Sequence, residues 1–92
     1  MPKPSVNLIN PLLRIHDLEQ AACLLASGFE PSGHEWAGER LFLLFPDCVA
    51  ARNVLADLAT GALRLDPCAV MAGYRTARRV LYEAKQRRGT LR

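Results

Sequence analysis

The chain has 92 residues, half of them hydrophobic, and a formal charge of +3. That length supports one domain that buries roughly 60–65% of its unfolded surface, and the apolar fraction argues against a disordered chain. No apolar run approaches the roughly 18 residues of a membrane span, no secretory h-region is visible, and three cysteines cannot form an even disulfide framework. The expectation is a cytoplasmic protein with Cys23, Cys48 and Cys68 reduced.

Residues 1–11 hold Pro2, Pro4 and Pro11 without periodicity and read as an extended or disordered arm. Leu12–Ile15 then alternates, with Leu13 and Ile15 on one face, and predicts a short strand. Asp17 and Gln20 have capping-box spacing ahead of a helix over Leu18–Ser27, and Gly28 stands at its C′ position. Phe29 can then pack back on that helix.

Glu30–Trp36 and Glu39–Phe45 read as a hairpin around Ala37-Gly38. Pro31 has no ladder donor, so the first arm is an edge or begins late. The second arm, Leu41–Phe45, is apolar on both faces and predicts a central strand covered on both sides, or on one side by another subunit. Phe42 and Leu44 are therefore candidate self-association residues. Asp47 is expected to cap a second helix over Cys48–Thr60, with Val49, Leu55 and Leu58 in its buried stripe and Gly61 as its stop.

Asp66-Pro67 is a cap-plus-proline start for a third helix over Pro67–Arg88. Val70, Gly73, Tyr74, Ala77, Leu81 and Ala84 share its expected apolar face. Gly73 costs about 1 kcal/mol relative to alanine in a helix interior, which predicts close helix packing there. The segment 89–92 reads as a basic tail. The architecture is thus α+β, about β-α-β-β-α-α: a small three-stranded, mainly antiparallel sheet with three helices, forming one domain over 12–88.

Charge is distributed unevenly along this frame. Residues 69–92 carry seven basic side chains and one acid, net +6, whereas residues 1–68 are net −3. Arg75, Arg78, Arg79 and Tyr82 share the polar face of the third helix, Lys85 flanks them, and Arg87 and Arg88 follow. Guanidinium groups on one helix face suit forked pairing with phosphate or carboxylate oxygens, and a tyrosine among them can stack on an unpaired base. A solvated face that complements the helix macrodipole accounts for the same residues without a ligand.

Other constellations point away from catalysis. Asp17, Asp47 and Asp66 each precede a helix, so capping accounts for them. Cys48 and Cys68 follow helix starts, but the adjacent Asp47 and Asp66 oppose thiolate formation. His16, His34 and the cysteines lack metal-ligand spacing. No nucleophile elbow, P-loop or dinucleotide glycine pattern occurs. Trp36, beside His34 near the hairpin tip, reads as a side chain folded over the core edge. The sequence thus implies no enzyme, cofactor, metal, membrane contact or small-molecule substrate.

Several stretches taken together carry a resemblance: Asp17-Leu18, Ala21-Ala22, Leu24-Leu25-Ala26, Gly28-Phe29, Arg40 through Asp47, Gly61 and Asp66-Pro67. Over about residues 12–82 the chain resembles Domain of Unknown Function 5659, a small family of bacterial and phage proteins. The resemblance implies a cytoplasmic protein of phage or mobile-element context and brings no activity to any residue.

The function expected from the sequence is a small binding or accessory protein acting through protein–protein contacts, self-association included. The alternative is a nucleic-acid-binding module using Arg75, Arg78, Arg79, Tyr82, Lys85, Arg87 and Arg88. A basic stripe exposed beside a flat electropositive face would favour the alternative. A stripe met by Asp or Glu would favour the first.

Overall fold

The computed structural model describes residues 12–90. The expected arm over 1–11 lies outside them, as do the last two residues of the tail. Six elements follow in chain order: β1 Leu12–Ile15, α1 Leu18–Ala26, β2 Gly33–Ala37, β3 Arg40–Pro46, α2 Val49–Thr60 and α3 Pro67–Thr90. This is the α+β arrangement that the caps and periodicities predict. The sheet order is β1-β3-β2, with both pairings antiparallel. Leu13 faces Phe45 and Ile15 faces Leu43 on one side, while Trp36 faces Leu41 on the other. The doubly apolar strand is thus central.

Each turn has a local cause. The Asp17 carboxylate accepts from the Glu19 amide at 2.8 Å, which starts α1. At the other end, the Gly28 amide donates to the Leu25 carbonyl and the Phe29 amide to the Leu24 carbonyl, each at 3.0 Å. This pair of bonds is a Schellman motif, and it turns Phe29 back onto the core. The hairpin closes on Gly38-Glu39, one residue later than the expected Ala37-Gly38, with Ala37 opposite Arg40. Gly38 has φ +64° and Glu39 does not share the positive sign. A glycine with positive φ at the first central position is the type II′ requirement. Pro31 delays β2 to Gly33.

All three helices lie on one side of the sheet. The core joins Ile15, Leu43 and Phe45 of the sheet to Ala21 and Leu24 of α1, Ala51 of α2 and Ala77 of α3. The α1–α3 contact is made of small residues: Ala22 and Ala77 are fully buried. A Cβ built on Gly73 would stand 2.6 Å from the Ala22 carbonyl oxygen. Glycine is therefore what lets the two backbones approach.

Two expectations about α2 are corrected. Asp47 does not cap it. The N-cap is Cys48, in extended conformation and with no side-chain cap bond, because the Asp47 carboxylate is held by both arms of the Arg52 guanidinium. Two charge-assisted bonds outcompete one amide bond. Val49 is 75% exposed rather than buried. Ala51, Val54, Leu55 and Leu58 form the packed stripe, and Val49 stands roughly 200° round the helix from Ala51.

Candidate functional site

Among the described residues, an open groove of about 1050 Å³ runs along α3, bounded by Leu18 at the start of α1. Asp66 places it by starting α3: its carboxylate accepts from the Ala69 amide at 3.3 Å. Gly73 and Ala77 then seat the helix on α1. Residues from about 60° to about 220° round the helix from that seat, at 3.6 residues per turn, become the groove wall.

That wall is mixed in character. Met71, Tyr74 and Leu81 with Leu18 supply its apolar part, and Arg75, Arg78, Arg79 and Lys85 supply four cations. Tyr82 lies among the cations and is 65% exposed, while Met71 is 59% exposed. No carboxylate among the described residues pairs with any of the four cations, because the two ion pairs present join Arg14 to Glu35 and Arg52 to Asp47. The stripe is exposed and meets no acid. It borders an apolar-lined groove rather than a flat electropositive face.

Five of the seven basic-helix residues singled out in the sequence thus come together: Arg75, Arg78, Arg79, Tyr82 and Lys85. Arg87 and Arg88 do not join them. They turn to the other side of α3 and line a separate pocket of about 350 Å³ with His34, Trp36 and Ala84. There the Arg88 guanidinium lies 4.0 Å from the centroid of the Trp36 ring. Trp36 is half-buried under it, at the core edge.

Leu18, Met71 and Tyr74 are groove residues that the charge pattern missed. Met71 could have been found, since positions 71, 75, 78, 82 and 85 form one helical stripe. Tyr74 was expected on the packed face. It sits at that face's border and is 37% exposed.

Phe42 and Leu44 face away from the helices, on the open side of the sheet, and are half-buried. Arg14 is opposite Leu44 and Glu35 opposite Phe42. Their side chains pair over β3 at 3.3 Å. The His16 ring lies 5.2 Å from the Phe42 ring, and Arg40 donates to His16 Nε2 at 3.4 Å. Among the described residues, long polar side chains rather than a second layer cover this face.

Among the described residues, Cys23, Asp47 and Arg52 are displaced from their ordinary range, the last raised by its hydrogen bond to Asp47. The Arg52 guanidinium, hydrogen-bonded to Asp47, holds that carboxyl below the usual carboxylate range. Burial pushes the Cys23 thiol up, helped by Glu19 and Asp17. Cys48 and Cys68 are exposed free thiols. Among the described residues, no group of three or more His, Cys, Asp or Glu is placed to hold a metal, and no helix is long and apolar enough to cross a membrane.

No family model, no curated protein and no solved structure matches the chain.

Proposed function

We propose that this is a small non-enzymatic binding protein of the cytoplasm, and that the α1–α3 groove receives an acidic, amphipathic segment of a partner protein. One observation carries the reading: the exposed cations border not a flat electropositive face but a wall that also offers Leu18, Met71, Tyr74 and Leu81. An amphipathic helix would lay its apolar face on those side chains. Its carboxylates would take the guanidinium forks. Two exposed free thiols fit a reducing compartment. The open sheet face at Phe42 and Leu44 is a second contact surface in this proposal, for self-association. Membership of the family that the sequence resembles is proposed on its caps, glycine stops and apolar strand alone.

The test is fluorescence anisotropy with a labelled peptide carrying Leu on one helical face and Glu on the other. Saturable binding is expected, weakened when Arg75, Arg78 and Arg79 are changed to Ala. A scrambled peptide of the same composition should bind less well. Equal binding of the two peptides would reduce the groove to a non-specific charge patch and overturn the reading.

A second reading is favoured by Tyr82, which stands exposed among Arg78, Arg79 and Lys85. Aromatic rings within a basic groove are the usual means of holding single-stranded nucleic acid. An oligonucleotide that bound more tightly than the ordered peptide would select it.

A further inference from the structure

The pocket between β2 and the last turns of α3 has its own chemistry, apart from the groove. We infer that it is a binding site for a phosphate group on a small molecule, held by Arg87, Arg88 and His34.

The register builds this site. His34 and Trp36 oppose Leu43 and Leu41, so both lie on the helix side of the sheet. The packed face of α3 runs through Gly73, Ala77 and Ala84, and four residues on it reaches Arg88. Arg88 therefore arrives over Trp36, with its guanidinium 4.0 Å from the ring centroid. The donors of a guanidinium lie in its own plane, so stacking on the ring consumes none of them. Arg87 and His34 line the same pocket, Ala84 leaves room at its wall, and no acid among the described residues lines it. Macrodipole compensation accounts for basic residues in a last helical turn. It accounts neither for the tryptophan platform nor for the histidine that converges on it.

The charge selects the ligand. Two guanidinium groups match a phosphate dianion, whereas a carboxylate would leave one of them without a partner. The volume of about 350 Å³ lies at the small end of ligand pockets, roughly 300–1,000 Å³. A phosphate or diphosphate on a small carbon skeleton fits that size better than a large cofactor.

Trp36 is the sole tryptophan of the chain, so the intact protein reports on the site by its own fluorescence. Inorganic phosphate and pyrophosphate are titrated at constant ionic strength, with acetate in parallel and calorimetry as the second measurement. Saturable binding of phosphate or pyrophosphate, and not of acetate, is expected. Arg87→Ala leaves the Arg88–Trp36 stack in place and should weaken binding about tenfold or more, as expected for one charge-assisted contact. Arg88→Ala should abolish the calorimetric signal. Changing Arg75, Arg78 and Arg79 to Ala should leave phosphate binding unaltered, which separates this site from the groove. No saturable response, an equal response to acetate, or undiminished binding by Arg87→Ala would overturn the inference. An oligonucleotide binding where phosphate and pyrophosphate do not would assign these cations to a nucleic-acid backbone instead, and would overturn it equally.

Discussion

Gly73 shows how a single atom sets the position of α3. An added Cβ would meet the Ala22 carbonyl oxygen at 2.6 Å and its carbon at 3.3 Å. Those are backbone atoms of a packed helix and cannot swing aside. Gly73→Ala gains about 1 kcal/mol of helix propensity but overpacks the contact by about 1–3 kcal/mol. The net expectation is a loss of up to about 2 kcal/mol, read as a lower urea midpoint at unchanged slope. A stabilised variant would show that the helices separate freely. A second prediction belongs to Asp47. Its carboxyl is held low by the Arg52 hydrogen bond. The stability this pair contributes is therefore present above the unfolded carboxyl value, about 3.9. It is lost as pH falls through the folded value. Arg52→Ala should make the urea midpoint less sensitive to acid below about pH 4, and an unchanged acid limb would show that the pair contributes nothing measurable.

At the scale of elements, the groove makes a quantitative statement about salt. If its cations contact a nucleic-acid backbone, three contacts give a log–log slope of roughly −2 to −3, at about −0.7 to −0.9 each. Changing Arg75, Arg78 and Arg79 to Ala should remove most of that slope and keep the fold, since the packed face holds Gly73, Ala77 and Ala84. Tyr82→Ala should weaken binding to single strands more than to duplex, because stacking needs an unpaired base. No binding of DNA or RNA at low salt would reject the nucleic-acid reading and leave the peptide. Much of this geometry was legible in the chain. Local signals at Asp17, Gly28, Gly61 and Asp66 bracket the helices, and the alternation of Leu13 and Ile15 finds β1. Gly73 announced the close contact because a helix-interior glycine needs a tertiary reason. Less legible were outcomes that depend on which partner wins. Asp47 has a cap's position but takes Arg52. Tyr74 has a core residue's spacing but stands about 100° round the helix from Gly73, at the border of the packed face. The separation of Arg88 from Arg78 and Arg79 depends on β2 bringing Trp36 beneath it, which no spacing along one helix reveals.

The described residues form a slab, 42 × 36 × 20 Å, with a radius of gyration of 14.3 Å, whereas a compact domain of this size would have about 12 Å. One layer of helices on one face of the sheet produces that shape and leaves Phe42 and Leu44 on the other. Apolar side chains grouped on a sheet face that only long polar side chains shield mark an interaction surface. Among the described residues, β1 and β2 are the edge strands of the sheet. The area limits the strength of a self-association there. Seven residues of β3 at about 3.3 Å each, across three strands about 4.8 Å apart, give a patch on the order of 300 Å². Stable interfaces bury about 800 Å² per partner, so the expected association is weak and reversible rather than an obligate dimer. The Arg14–Glu35 pair over the patch opposes it further, because these side chains must be displaced or exchanged between copies. Sedimentation velocity over a wide concentration series should therefore show a weight-average coefficient that rises with concentration. Changing Phe42 and Leu44 together to Thr keeps strand propensity and removes the apolar patch, so the variant should stay folded and sediment as a monomer throughout. An intact protein that remains strictly monomeric at the highest concentration would mean that the polar side chains of Arg14, Glu35, His16 and Arg40 are cover enough, and that this face meets no second copy.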